Sequence, residues 1–340
     1  MRKNKFKGSE DVGDFLTLAK VMDAHEKLQE VIHRTPLETS ATLNQQTGQD
    51  VYLKMENQQK TGAFKVRGAS YKVESLTDEE ARRGVIAASA GNHAQGVALA
   101  ATKRGIQAKI FMPEATPRAK VEATEGYGAR VVLTGESFQE AYQAAMKEQE
   151  RLGATFLHPF DDYDVMAGQG TIAVEMLQQQ PDLDTLYVPI GGGGLISGVA
   201  FAAKQLKPDI RVIGVQSAKA PSTYNALYKK GPEKLTSVAT IADGIAVKEK
   251  GKLTFSCIQK YVDQVITVDE QEIAKAMLML LEREKTLVEG AGATALAGLL
   301  SGQASSDSQR CGVILSGGNM DLSKLPLIRK LANSKKMVIA

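Results

Sequence analysis

A lysine set among small residues opens the chemical reading of this chain. Lys65 stands in the run Lys60-Thr61-Gly62-Ala63-Phe64-Lys65-Val66-Arg67-Gly68-Ala69. Alone it would be read as a surface lysine, but its small neighbours and one aromatic suit a pocket. A desolvated amine beside other positive charge loses its proton more readily, as Schiff-base chemistry requires. The second candidate is Gly191-Gly192-Gly193-Gly194-Leu195, which follows the apolar run 186–190 and precedes a helix beginning near Ile196. Glycines let the backbone approach an anion, and a helix start offers free N–H groups and a positive dipole end. A flexible turn is the rival reading, yet four consecutive glycines lose much conformational entropy on folding. A phosphate is the expected guest.

The type of phosphate is narrowed by what does not fit. No Lys-Ser or Lys-Thr follows the glycines, so the nucleotide P-loop pattern is missing. The dinucleotide fingerprint fails as well: its last glycine falls on Ser197 or Ile196, and its acidic residue on Gln216. Two further turns share the Gly/Ser/Asn character, Ser89-Ala90-Gly91-Asn92-His93 and Ser316-Gly317-Gly318-Asn319. In open parallel sheets ligands sit beyond the carboxyl ends of the strands, so these turns can converge on one ligand.

The elements that must position them read as α/β. Strands are predicted at 51–55, 84–89, 108–112, 130–133, 186–190, 212–216 and 313–316. Helices are predicted at 93–104, 117–127, 138–152, 164–178 and 270–284. Near-continuous apolar strands suit a parallel sheet covered on both faces. The chain of 340 residues calls for two domains. A small inserted α/β domain is expected over 76–158, with 1–75 and 159–340 forming the large domain and 1–13 a polar tail.

Composition excludes other classes. A formal charge of +3, with no basic patch interleaved with aromatics, gives no reason to expect nucleic acid. No apolar run approaches the roughly 20 residues of a membrane helix, and the basic N-terminus lacks an apolar signal segment. Cys257 and Cys311 are too few for a disulfide framework, so a cytoplasmic location is expected. His25, His33 and His158 show no metal-ligand spacing and read as packing or surface residues. The run Glu289-Gly290-Ala291-Gly292-Ala293 is expected to open a helix near the site, although helix packing explains its small residues equally well.

The Lys65 run closely resembles the cofactor-lysine motif of fold-type II pyridoxal-phosphate enzymes. Residues 89–96, Pro189-Ile190 with the four glycines, and residues 316–319 complete that pattern in order, and resemble the threonine/serine dehydratase branch. The resemblance runs from about residue 20 to 333 and implies two open parallel-sheet domains with the active site in the cleft between them. It implies that Lys65 carries pyridoxal 5'-phosphate and serves as the base at the substrate Cα. Phe64 would pack near the ring, Asn92 would meet its phenolic oxygen, and Ser316 would face its nitrogen. Gly191, Gly192, Gly193, Gly194 and Leu195 would hold the phosphate, while Ser89, Ala90, Gly91, Asn92 and His93 would surround the substrate carboxylate. A neutral serine at the ring nitrogen leaves a weaker electron sink, which favours loss of a β-hydroxyl over transamination.

The implied activity is elimination from L-threonine and L-serine to a 2-oxo acid and ammonia, in a homodimer or homotetramer. Serine racemase and hydroxyaspartate dehydratase are runners-up within that chemistry, and a nucleotide-binding α/β protein is the distant rival. Two departures bear on the choice. Ala63 replaces the family's usual serine, and Ala90 replaces the serine that gives racemases their second base. Gln216, Ala220 and Ser222 fall where racemases hold a divalent metal, so no such metal is expected, though carbonyls could hold a monovalent cation. An AMP effector site is implied at Lys60, Thr61, Gln95, Tyr127 and Asn319, weakened because Lys60 cannot grip a phosphate bidentately as arginine does. With 21 residues after Asn319, isoleucine control through an appended domain is not expected.

Overall fold

A computed structural model describes residues 16–304 and 308–334. The polar tail expected at 1–13 lies outside them. Ten strands are present among the described residues: β1 (Leu37–Thr39), β2 (Asp50–Lys54), β3 (Val85–Ala88), β4 (Ala108–Met112), β5 (Arg130–Leu133), β6 (Thr155–Phe156), β7 (Thr185–Pro189), β8 (Arg211–Ser217), β9 (Gln264–Val268) and β10 (Arg310–Ile314). They make a six-stranded sheet in the order β1-β2-β10-β7-β8-β9 and a four-stranded sheet in the order β5-β4-β3-β6. Every pairing is parallel except that of β1 with β2. The protein is therefore built as two parallel-sheet α/β domains.

Strand alternation explains why the larger sheet carries two cores. Successive side chains point to opposite faces, so Leu186, Val188, Val212 and Val265 join one apolar cluster. Their neighbours Tyr187, Ile213 and Ile266, with Val313, join the other. Burial of each large apolar side chain contributes about 1.5–3 kcal/mol, so a polar substitution at Val188 or Ile213 would unseat a helix layer. The smaller sheet works the same way with smaller residues: Val85 and Ala87 pack with Ala94, Val97 and Ala98, and Ile86 and Ala88 with Ala141 and Ala145.

Helix ends follow local chemistry. Ser137 and Glu140 close a capping box at the start of Phe138–Leu152, and Gly153 ends that helix at φ 63°. The predicted helix at 138–152 matches these bounds, and those at 93–104 and 164–178 each lie within one residue of the observed Asn92–Arg104 and Tyr163–Gln179. The strand expected at 313–316 instead spans Arg310–Ile314. Beyond it the chain leaves the sheet and pairs with the lysine loop: Phe64 N donates to Ser316 O (3.1 Å) and Gly318 N to Gly62 O (2.8 Å). Strands β1, β6 and β9 were not expected. The first two are three and two residues long, and in β9 (Gln-Val-Ile-Thr-Val) the polar residues stand three apart, which breaks the alternation that marks a strand.

The helix Lys65–Glu74 is seated by close backbone contact. A Cβ on Gly68 would lie 2.7 Å from Val165 O, and one on Gly168 would lie 2.7 Å from Arg67 O. Gly96, on the helix Asn92–Arg104, packs against the Lys65 backbone, where a Cβ would meet its carbonyl carbon at 3.1 Å. Beneath this seam lies a closed polar cluster. Arg67 is fully buried and spends all five N–H donors: two on Glu56 (2.7 and 2.8 Å), two on Glu175 (2.7 and 2.9 Å) and one on Thr171 (3.0 Å). Lys54 Nζ donates to Glu175 (2.6 Å), Thr35 O (2.8 Å) and Gln179 (3.0 Å). Among the described residues no helix is long and apolar enough to cross a membrane. Cys257 and Cys311 are buried and free.

Candidate active site

The turns after β3, β7 and β10 meet around the start of the Lys65 helix. Lys65 Nζ donates to Pro159 O at 2.6 Å and lies 5.2 Å from the centroid of the Phe64 ring. Burial pushes its pKa down to about 8. At neutral pH roughly one such amine in ten is deprotonated, against fewer than one in a thousand for an ordinary lysine. That is the state a nucleophilic amine needs.

The glycine run builds an anion cradle. Gly193 caps the helix Gly194–Leu206 at φ 98°, a left-handed conformation glycine adopts without strain. It offers no side-chain cap, so first-turn N–H groups are left for an outside acceptor. Thr254 Oγ1 donates to Gly192 O (2.7 Å) and steadies the loop. Space here is set by Phe160: a Cβ on Gly192 would fall 2.3 Å from its ring and one on Gly194 2.8 Å from its Cα. Phe160 follows Pro159, so the segment that receives the Lys65 amine also packs on the cradle. His158 holds that turn, its Nδ1 accepting from Asp161 N (2.8 Å) and Phe160 N (3.3 Å). The sequence offered no sign of this role.

The turn after β3 supplies Ser89, Ala90, Gly91, Asn92 and His93, all but His93 partly exposed. Gly91 caps the helix Asn92–Arg104 without a side chain, leaving a second uncapped helix start. His93 Nε2 contacts Leu157 O at 2.9 Å, and because a carbonyl only accepts, that nitrogen carries the proton. Burial, aided by Lys65, pushes the His93 pKa down to about 3, so the imidazole is neutral. Asn92 Nδ2 donates to Glu289 (2.7 Å), a residue that sequence reasoning left without a role. Ser316 is buried and its hydroxyl makes only a 3.5 Å contact with Ala291 O, so its donor is barely spent.

Four of the five residues named for an effector are linked. Tyr127 OH donates to Lys60 O (3.2 Å), and Asn319 Nδ2 donates to Thr61 O (2.7 Å). Gln95 stands one turn along the Asn92 helix. Gln216, Ala220 and Ser222 are buried, with Gln216 Oε1 accepting from Tyr224 N (2.8 Å). Among the described residues no group of three or more His, Cys, Asp or Glu gathers to hold a metal.

A reactive amine, an uncapped glycine-built helix start and an unspent serine hydroxyl suit a phosphate ester bearing an aldehyde and a ring nitrogen. The comparisons agree. The family described as pyridoxal-phosphate dependent enzyme matches residues 28–317. An L-threonine ammonia-lyase of Thermotoga maritima is 49% identical over 313 residues, covering 92% of this chain and 78% of that one. A catabolic L-threonine dehydratase of Staphylococcus aureus is 45% identical, covering 91% of each. Among solved structures, the processed form of threonine deaminase isoform 2 from Solanum lycopersicum superimposes with a TM-score of 0.90 at 37% identity, over 97% of this chain and 90% of that one. Maize serine racemase gives 0.87 at 39% identity, over 92% and 96%. With the family match spanning most of its length, this chain belongs to the pyridoxal-phosphate dependent enzymes.

Proposed function

We propose that the protein deaminates L-threonine, and also L-serine, to 2-oxobutyrate or pyruvate and ammonia. The observation that carries this is the Lys65 amine, held at a lowered pKa beside the uncapped glycine loop. Relatives named for threonine deamination at 45–49% identity support the choice of substrate.

Gly191, Gly192, Gly193, Gly194 and Leu195 would hold the cofactor phosphate on first-turn N–H groups. Phe64 would flank the ring, Asn92 would donate to its phenolic oxygen, and the Ser316 hydroxyl would donate to its nitrogen without forcing a proton onto it. Bound there, pyridoxal 5'-phosphate supplies the electron sink that lets a Cα proton leave. Lys65 is the catalytic residue: it carries the cofactor and, when free, takes that proton at Nζ. The turn of Ser89, Ala90, Gly91, Asn92 and His93 receives the substrate carboxylate at the second uncapped helix start. His93, neutral and tied to Leu157 O, adds no positive charge of its own beside the amine. The Cα proton and the β-hydroxyl together make up the one water lost, and hydrolysis of the resulting unsaturated amine by one water would give the 2-oxo acid and ammonia. Ala90 has no proton to give on the face opposite Lys65, which argues against the racemase reading.

The domain limits that suit this site are 76–158 for the small unit and 1–75 with 159–340 for the large one. Free buried cysteines suit a cytoplasmic setting. A homodimer or homotetramer fits the family, and AMP would bind weakly near Lys60, Thr61, Gln95, Tyr127 and Asn319. A monovalent cation would be held by backbone carbonyls near Gln216, Ala220 and Ser222. The deciding experiment is release of oxo acid and ammonia from a panel of β-hydroxy amino acids, with AMP titrated at subsaturating threonine. Turnover of serine or hydroxyaspartate without threonine would overturn the substrate assignment. Unchanged activity with AMP would remove only the effector.

A further inference from the structure

Asn92 is held by two groups of the larger domain, and their chemistry fixes which way its amide points. Asn319 donates through Nδ2 to Thr61 O, an atom that can only accept, so the nitrogen of Asn319 is identified. That same Nδ2 lies 2.9 Å from Asn92, which must therefore present its oxygen. The Asn92 nitrogen then faces Glu289 Oε1 at 2.7 Å. A backbone carbonyl thus sets the sense of a relay running Thr61, Asn319, Asn92, Glu289. One of the two Asn92 N–H groups is spent on Glu289 and one is left.

Glu289 is built into place. It is 6% exposed and precedes the helix Gly290–Leu300 without capping it. Gly317 makes room for it, since a Cβ there would fall 2.5 Å from Oε1. The charged groups facing it are Asp243, Lys120 and Lys324, and Asp243 is itself paired with Lys324 at 3.2 Å.

We infer that Glu289 is a positioning residue for the reaction: by accepting one Asn92 N–H, it aims the remaining one at the cofactor and anchors the small-domain helix start to the larger domain. This rests on the reading of Asn92 as a cofactor contact. Burial first, then the Asp243 carboxylate, pushes the Glu289 pKa up to about 7, against the opposing pull of the Asn92 hydrogen bond and the two lysines. Because the folded pKa is raised, the stability tied to its protonated form is present below the ordinary carboxylate range and is lost as pH rises through about 7. A neutral donor favours the charged form of its acceptor, so removing Asn92 raises that pKa further.

Two measurements on the holoenzyme test this. First, the melting temperature of Glu289→Gln minus that of the parent is followed from pH 5 to 8. That difference should rise, widening in the variant's favour, by at least about 2 °C as the parent carboxyl ionises. Repeated in an Asn92→Ala background, the midpoint of that widening should move to higher pH. A flat gap, or a midpoint that does not move, overturns the inference. Second, cofactor affinity is measured for Glu289→Leu, Asn92→Ala and the double variant. Each single change should weaken it about tenfold, the scale of one well-placed hydrogen bond, and the double variant should lose no more than either. Multiplying losses would overturn the relay. If Glu289→Leu does not fold, the pH midpoints decide alone. Neither readout depends on the amino acid turned over, so failure of the threonine assignment would show separately.

Discussion

Lys65, partly buried, and Arg67, fully buried, are two cations two residues apart on one helix, and they meet opposite fates. Arg67 faces Glu56 and Glu175, which outweigh the cost of burial and hold its pKa above the ordinary value. Glu175 in turn is buried, yet Arg67 and Lys54 hold its carboxyl below the usual range. Lys65 has a carbonyl for a partner instead of a carboxylate, and burial alone drives its pKa down. The helix thus points a saturated charge at the scaffold and an unsaturated one at the turn that packs on the glycine loop. A cation taken out of water becomes structural when carboxylates outweigh the cost of burial, and reactive when it is given only a dipole.

The largest expected effect breaks the reactive half. Lys65→Ala should cut threonine turnover by about 10³-fold or more and leave the melting temperature near the parent value. A large loss of stability with residual turnover would make Lys65 a scaffold residue. The converse is Arg67→Met, which leaves Glu56 without a cation and Glu175 with Lys54 alone, and should cost about 3–5 kcal/mol in urea unfolding. A loss under 1 kcal/mol would show that the cluster holds nothing in place.

Acidity sharpens the same contrast. A protonated amine cannot attack an aldehyde, so capture of pyridoxal phosphate by cofactor-free protein should rise with pH and level off above about 8. Between pH 6 and 8 the expected gain is roughly fifty-fold. A rise that continues toward pH 10 would mean that burial does not depress this amine. The smallest effect is expected from Ala90→Ser, which puts a hydroxyl in the substrate turn. D-serine formation, followed by chiral chromatography, should rise above the parent level. No rise would show that a second base needs more than a hydroxyl at 90.

The reactive half was more legible than the structural half. The glycine run stood out because four consecutive glycines lose much entropy on folding, whereas Lys65, Asn92 and Ser316 owe their expected roles to the resemblance of the short motifs around them. The partners of Arg67 are 11 and 108 residues away, and Asn92 is 197 residues from Glu289. Nothing in local sequence encodes a pairing over such distances; it follows from the order in which strands enter the sheet. His158 packs as expected, edge-on to the Phe160 ring, but its further work, accepting two backbone N–H groups in its own turn, leaves no spacing pattern. The antiparallel β1 is too short for alternation to register.

The glycine seam beneath Lys65 has a consequence for how errors travel. Gly68 and Gly168 bring two backbones within reach of each other, with the Gln169 side chain also lodged against Gly68, and Gly96 meets the Lys65 backbone from another helix. Side chains can swing to absorb a misfit, but main chain against main chain has no such play. The amine is therefore located as a machined part is, by hard stops rather than springs. One added methyl at Gly168, in the middle of a neighbouring helix, would displace the reactive nitrogen as surely as a change beside it. Compensating changes would have to come from the facing backbone at residues 65–68, where there is nothing left to trim.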